Sequence, residues 1–578
     1  MLHAYMVYMA SGRSLREDDM EPLYLKSDCK KTSGLSFKNA LLTPVASACM
    51  ILCLTAALPA TAVEINYTKN AGDLQVMPIN YGFSGVNNVL YPGSSTPLRG
   101  GNIVTVDVSA GTAPGFVFAG MSNGLNSISS GSLAEIKRGN VVSDVNGGYA
   151  YTEGAGNENS NAVASANNVV LQGGAQIGGS VYGGNGVGAS FSIGSSTVTT
   201  QNNGVTVSGA TVGVNVFGGE SLAYNASSGM ATTNAYDNTV TMDSGTVNGS
   251  VFGGKAEGRS ALSGDLTMNA TGNRAIVTGG TIRTDLIGGS VIGLEQGASD
   301  SEMMASGNTA TVTGGTINGN IYGGRGSDSS SGPGHTRIVS QNNTVNFSEN
   351  GIAGGNIYGG ASMGTNLSTG DMTIIADRNI VNVSGGTATG SVYGGMSSGN
   401  GTATLSASGN TVTVTGGTNG GVYGGASMGE NQSAGNMGVA SSQNIVTISG
   451  GTMNGNVYGG MSSGSGIASL SASGNTLSIT DGTFNGSIYG GYTSGMGTSI
   501  GTVSATGNTI TISGTPVFSA NTSIFGGLDS SATVTSRDVL TGNTLNFSLS
   551  GVNIKQVGNF SLYNFVFPSS TTNGTVLL

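Results

Sequence analysis

Cysteine is almost missing from this chain. Its three copies, Cys29, Cys49 and Cys53, fall within the first 53 residues, so the rest can form no disulfide and must be stabilised by packing. Histidine is limited to His3 and His335. With no cysteine beside it, one downstream histidine leaves no ligand set for zinc and at most one site with a histidine base. Charged side chains make up only 8% of the chain, and the net charge is -10. Clustered Lys and Arg, which phosphate binding requires, are therefore lacking, and nucleic acid is excluded as a partner. The same scarcity of charge, with 37% hydrophobic residues, excludes a solvated disordered chain. Glycine is plentiful at 102 residues, but it has no three-residue period, which excludes collagen.

Only one long apolar run occurs, "LLTPVASACMILCLTAAL" from Leu41 to Leu58, preceded by Lys30, Lys31 and Lys38 and followed by "PATAVE". A basic flank, an apolar core and small residues at Ala60 and Ala62 form a secretory signal, here residues 1–62, with cleavage after Ala62. The polar leader before Lys30 is long, so translation from Met1 and from Met20 both remain open. Removing residues 1–62 takes away six basic and five acidic residues and all three cysteines, and shifts the net charge to -11.

What fills the remaining chain is a repeat. "GNVYGG" at 455–460 has close copies throughout, and alignment on the glycine pair gives eleven units, with second glycines from Gly184 to Gly527 spaced 30 to 36 residues apart. The residue before the pair is aromatic in ten units, Ile287 being the exception. Each unit carries a second anchor, "NTVTVTGGT" at 410–418, whose copies begin at Asn168, Asn203, Asn238, Asn273, Asn308, Asn343, Asn379, Asn444, Asn475, Asn508 and Asn543. There Val412 and Val414 alternate with Thr411, Thr413 and Thr415, the period of a half-buried strand. "VYGG" reads as a shorter strand ending in a turn, because glycine accepts positive φ. "TATLSAS" at 402–408 is a third strand.

Such a unit cannot bury its apolar face alone, whereas stacked copies can, in ladders of like side chains. The sequence thus predicts an all-β fold: a β-solenoid, as a right-handed parallel β-helix of about eleven or more 35-residue repeats. At about 4.8 Å per coil the array spans on the order of 50 Å with one coil per repeat, and twice that with two. Residues 63–150, with diverged anchors at 102–106, 116–120 and Gly147-Gly148, form an N-terminal cap and degenerate repeats. Residues 151–548 form the solenoid and 549–578 a tail. Length varies mostly after the glycine pair, which places the loop face there, in strings such as "ASMGTNLSTGD" (361–371) and "ASMGENQSAGN" (426–436).

The expected catalytic, cofactor and metal residues are none. Ser362 in "GASMG" fits G-x-S-x-G, but 395–399, 425–429 and 460–464 fit equally well, so the motif reads as a solenoid turn. "GGRGSD" (323–328) matches one unit of a calcium-binding nonapeptide, but such sites need consecutive copies. Glycan cleavage, the alternative function, needs convergent carboxylates. Asp243, Asp285, Glu295, Asp371, Asp377 and Asp481 are isolated in sequence. The aromatic residues and the asparagines read as core and stacking ladders.

Tandem "GNVYGG … GNTVTVTGGT" units behind a signal peptide resemble the passenger region of autotransporters, the type V secreted proteins of Gram-negative bacteria. The resemblance covers about 145–568, and the likeness to pertactin-type adhesins is architectural. It implies a surface or secreted passenger with a β-helical rod, and it transfers no catalytic residue. "NFSLYNFVFPSS" (559–570) resembles the segment that precedes the family's translocation barrel, whose roughly ten-residue amphipathic strands are not found before Leu578. The expectation is a non-enzymatic protein acting in adhesion or self-association, with host or bacterial surface molecules, or further copies, as partners. Alone it would stop in the periplasm; with a barrel supplied it would reach the outer membrane surface or the medium. A truncated fragment without present function is the third reading.

Overall fold

The computed structural model describes residues 102–112 and 115–566, apart from ten short connections between 155 and 499, together with strand pieces at 64–69, 89–90 and 99–100. The expected signal peptide, its cleavage site and residues 567–578 lie outside the described residues. Every described element is a β-strand, and every strand pairing is parallel.

One repeat makes one coil. Val392–Asn400 is followed by Ala403–Ser406, then by Thr411–Val414 with the short Thr418–Asn419, and the chain then re-enters at Val422–Glu430. Val422 lies beside Val392, and Tyr423 beside Tyr393, one rung further along. The coils thus build three continuous sheets. Sheet 1 holds the Thr411–Val414 strands and has 23 members, because seven of its sixteen rungs are split in two. Sheet 2 holds the Val392–Asn400 strands and has 15. Sheet 3 holds the Ala403–Ser406 strands and has 14. Diverged anchors ahead of the first full repeat join the same stack: Val106 pairs with Ile136, and Gly148 with Gly184.

The expected alternation in sheet 1 holds. Val412 and Val414 are fully buried, and Thr411 and Thr413 lie on the outer side. The core is divided into two apolar lobes. One lies between sheet 1 and the start of each sheet 2 strand and contains Val392, Val412, Val414 and Val422. The other lies between the end of that strand and sheet 3 and contains Leu405, Ile374 and Met372.

A column of buried asparagines separates the lobes. Asn410 Oδ1 accepts the backbone N–H of Asn379 (2.9 Å) and its Nδ2–H (3.0 Å), and Asn410 donates in the same way to Asn444 (3.0 Å for both). The second Nδ2 proton of Asn379 goes to a carbonyl of the preceding coil, Ser340 O, at 3.0 Å. The amide is thereby satisfied on every side, as a buried polar group must be. In the first full repeat Asn167 occupies this column; Asn168 is exposed. The anchor expected at Asn168 is therefore displaced by one residue.

The glycine pairs have a different role from the one expected. They do not end strands: they lie within strands of nine or ten residues, and neither glycine of a pair has positive φ. They mark close approach. A Cβ on Gly424 would lie 2.3 Å from Gly459 O, and one on Gly425 2.7 Å from the Asn444 amide nitrogen. Both glycines face the asparagine column, so the in–out alternation slips by one residue there. Positive φ belongs to the other glycine pair of the repeat, in "TGGT", where Gly417 has φ 83° and Gly386 78°. A left-handed residue makes the bulge between the two halves of a split sheet 1 rung; after Thr344–Phe347 it is Glu349, with φ 50°.

Candidate functional surfaces

The aromatic residues before the glycine pair form their own ladder. Because Val392 faces inward, Tyr393 faces outward, and the ladder clusters on the outer side of sheet 2, apart from both lobes. The expected ladder is buried, with Tyr322, Tyr358 and Tyr458 at most 8% exposed, and forms a third apolar cluster of its own. From Tyr322 to Tyr489 successive ring centroids are 4.5 to 4.9 Å apart and the planes within 17° of parallel. Each ring face is covered by the next ring, so no face is left for a sugar to stack on. Edge hydroxyls accept hydrogen bonds from a neighbouring polar column, Asn356 Nδ2 to Tyr358 Oη (2.8 Å) and Asn456 Nδ2 to Tyr458 Oη (2.9 Å).

Side chains of that column also accept the next coil's backbone N–H: Asn320 N donates to Asp285 Oδ1 (2.8 Å), and Ser391 N to Asn356 Oδ1 (2.7 Å). This outer ladder was not anticipated, although the Asn or Ser that precedes most "VYGG" and "IYGG" strings, as in "NGN" (454–456) and "NGS" (485–487), carries it.

Burial raises the hydroxyls of Tyr182, Tyr322, Tyr358, Tyr393, Tyr423 and Tyr458 above their ordinary value of 10.0. Tyr458 is pushed up to about 12, chiefly by desolvation, with the Asn456 amide opposing and neighbouring tyrosines adding. The folded chain therefore keeps protons that the unfolded chain loses above pH 10. This stabilising contribution is complete below pH 10 and declines as the pH rises through about 12. Far-UV circular dichroism across that range should show cooperative unfolding. Replacing Tyr393, Tyr423 and Tyr458 with Phe should move the midpoint upward; an unmoved midpoint would place the alkaline lability elsewhere.

The motif positions are now located. Ser362 is fully buried in a strand, not a turn, and donates to Ile375 O at 2.7 Å. Ser397, Ser427 and Ser462 occupy the same inward column. His335, mostly exposed on another face, lies 4.0 Å from Asp371. "GGRGSD" is likewise strand, within Ile321–Ser330. Its Asp328 is buried in a column otherwise occupied by glycines such as Gly293 and Gly364, while Arg325 lies beside Asp285 (3.9 Å) and over the Tyr322 ring (5.4 Å). In the expected loop strings, 361–366 and 426–430 are strand; 367–370 and 431–436 lie outside the described residues.

Of the six carboxylates, the five whose side chains are described do not converge. Asp243 and Asp481 share sheet 1 but stand seven rungs apart, roughly 34 Å. Asp371 and Asp377 flank one strand of sheet 3, about 20 Å apart. Asp285 belongs to the outer ladder of sheet 2, and the Glu295 side chain lies outside the described residues. Paired glycosidase carboxyls stand about 5 to 9.5 Å apart. Among the described residues, no group of three His, Cys, Asp or Glu is placed to hold a metal ion.

The densest charge cluster is also on sheet 2. Lys255 contacts Glu220 and Glu257, both at 2.9 Å, and Arg259 contacts Glu257 at 2.6 Å. Burial alone would pull Lys255 down, but the two carboxylates outweigh it and hold the amine above its ordinary range. These charges compensate one another.

The fold defines a parallel β-solenoid with one coil per repeat. Comparison with protein-family models, with curated proteins and with solved structures gives no match to this chain.

Proposed function

We propose that this chain is a non-enzymatic, exported passenger-type rod that acts in adhesion or self-association through its lateral faces. The observation that carries this reading is the distribution of polar groups. The buried asparagines are committed to an inter-coil ladder, as in Asn379–Asn410–Asn444, and the described carboxylates named above stand on separate faces or far apart along the rod. The outer face of sheet 1 instead presents uncharged Thr, Ser and Asn at a constant rise. Repetition of this kind suits multivalent contact, where weak sites add through proximity. Export and surface display follow from the Lys-flanked leader and the resemblance to autotransporter passengers.

Beads coated with the purified chain test this. They should clump or attach to cell or matrix surfaces, and incubation with a panel of polysaccharides should release no reducing ends. Steady glycan turnover by the chain would replace the proposal with an enzymatic one.

A further inference from the structure

The outer face of sheet 1 differs from the other two. Nine successive rungs, from Thr309–Val312 to Leu562–Phe565, present a surface dominated by threonine. Thr311, Thr413, Thr447 and Thr511 lie in one column, with asparagine or serine at its other rungs. Beyond the bulge, Thr316, Thr387, Thr418, Thr452 and Thr483 form another. On the strands of these rungs and the links between their halves, the only charged side chains are Glu349 and Asp481. By contrast, along the same stretch sheet 2 carries Arg325 and Glu430 on its outer side, and sheet 3 carries Glu302, Arg337 and Asp377. Five large apolar side chains stand out from the sheet 1 face: Ile352, Ile380, Ile445, Val517 and Leu562, each 41 to 60% exposed.

We propose that this face of sheet 1 is where a second copy of the chain packs, face to face. The inference rests on the non-enzymatic reading above and locates its self-association branch. Three features select a copy of the same chain as the occupant. Threonine and asparagine side chains each carry donor and acceptor capacity, so the face complements itself. An identical rod repeats its side chains at the same rise, so one matched contact brings the others into register, as in paired sheets with dry interfaces. Seven rungs of nine or ten residues and two of four give roughly 1,000 Å² per partner, above the 800 Å² or so of a stable interface. The contact is isologous: a two-fold axis places the same patch on both copies.

Sedimentation velocity of the full chain over a concentration series tests this, beside two double variants. Thr413→Glu with Thr511→Glu adds two carboxylates to the face on separated rungs. Thr404→Glu with Ser469→Glu adds the same charge to exposed positions of sheet 3. The wild type should dimerise, the sheet 1 variant should associate at least about tenfold more weakly, and the sheet 3 variant should match the wild type. Thermal melts should coincide for all three; if the double variant melts lower, Thr511→Glu alone serves for the comparison. Equal weakening by both variants would overturn the assignment. A dimer that resists the sheet 1 variant would place association on another face while leaving self-association intact. A wild type that stays monomeric throughout would remove both the face and the self-association branch, leaving adhesion to foreign surfaces.

Discussion

Val412→Lys should destabilise the solenoid by several kcal/mol, whereas Thr413→Lys, one residue away, should leave it nearly unchanged. Val412 is fully buried in the larger lobe, flanked along the sheet by Val381 and Val446. A lysine there puts an ammonium, or an unpaired amine, among apolar side chains with no acceptor supplied by the column, and such a group costs several kcal/mol unless the coil opens. Thr413 faces outward beside Asn382 and Thr447, where a lysine keeps its charge in water. Urea melts followed by circular dichroism separate the two. Equal shifts in midpoint would mean that the alternation has been assigned to the wrong faces.

Gly424→Ala should be comparably damaging for a different reason. The added methyl would lie 2.3 Å from Gly459 O, 2.8 Å from Asn444 Cβ and 3.1 Å from Val446 Cγ2. The first of these is backbone of the next coil, held by its own ladder hydrogen bonds, so relief requires the coils to separate. Overpacking in cores usually costs about 1 to 3 kcal/mol, and a clash with backbone belongs at or above the top of that range. Gly438→Ala is the matched control. Gly438 lies on the outer side of sheet 3, has no left-handed φ and would place its Cβ with nothing within 4 Å. There alanine should be neutral or stabilising by about 0.4 to 1 kcal/mol, because it restricts the unfolded chain. Urea midpoints check both, and a tolerated Gly424→Ala would show that the asparagine column and sheet 2 are not in close contact.

These two glycines show how far the sequence could be read. The repeat, its parallel stacking and the inward valines were legible, because period-two alternation and a constant repeat length follow directly from strand pleat and coil stacking. The function of "YGG" was not. Composition cannot distinguish a glycine needed for positive φ from one needed for close approach, since both requirements select the same residue. The chain uses both kinds within one repeat: Gly417 supplies the left-handed turn and Gly424 the close approach. The asparagine column was expected as a ladder, but its place between two apolar lobes depends on the coil's cross-section, which no single strand encodes. Asn167 could not be told from Asn168 for the same reason, adjacent identical residues being separated only by which one faces inward. The aromatic residues were legible as a buried ladder, but its place on the outer side of sheet 2 follows from the phase set by Val392, which composition does not give. Ser362 lost its nucleophile appearance once its column proved to point inward.

The central claim, that each repeat is one coil stacked in register on the last, is tested most directly by a distance along the rod. Thr239 and Thr544 occupy the same outward column of sheet 1, nine rungs apart. Each is replaced by cysteine and spin-labelled, with the three leader cysteines changed to serine and unlabelled chain in excess. Pulsed electron double resonance should then give one narrow distance near 43 Å, from about 4.8 Å per rung. A distance near twice that, or a broad distribution with no dominant peak, would contradict the account.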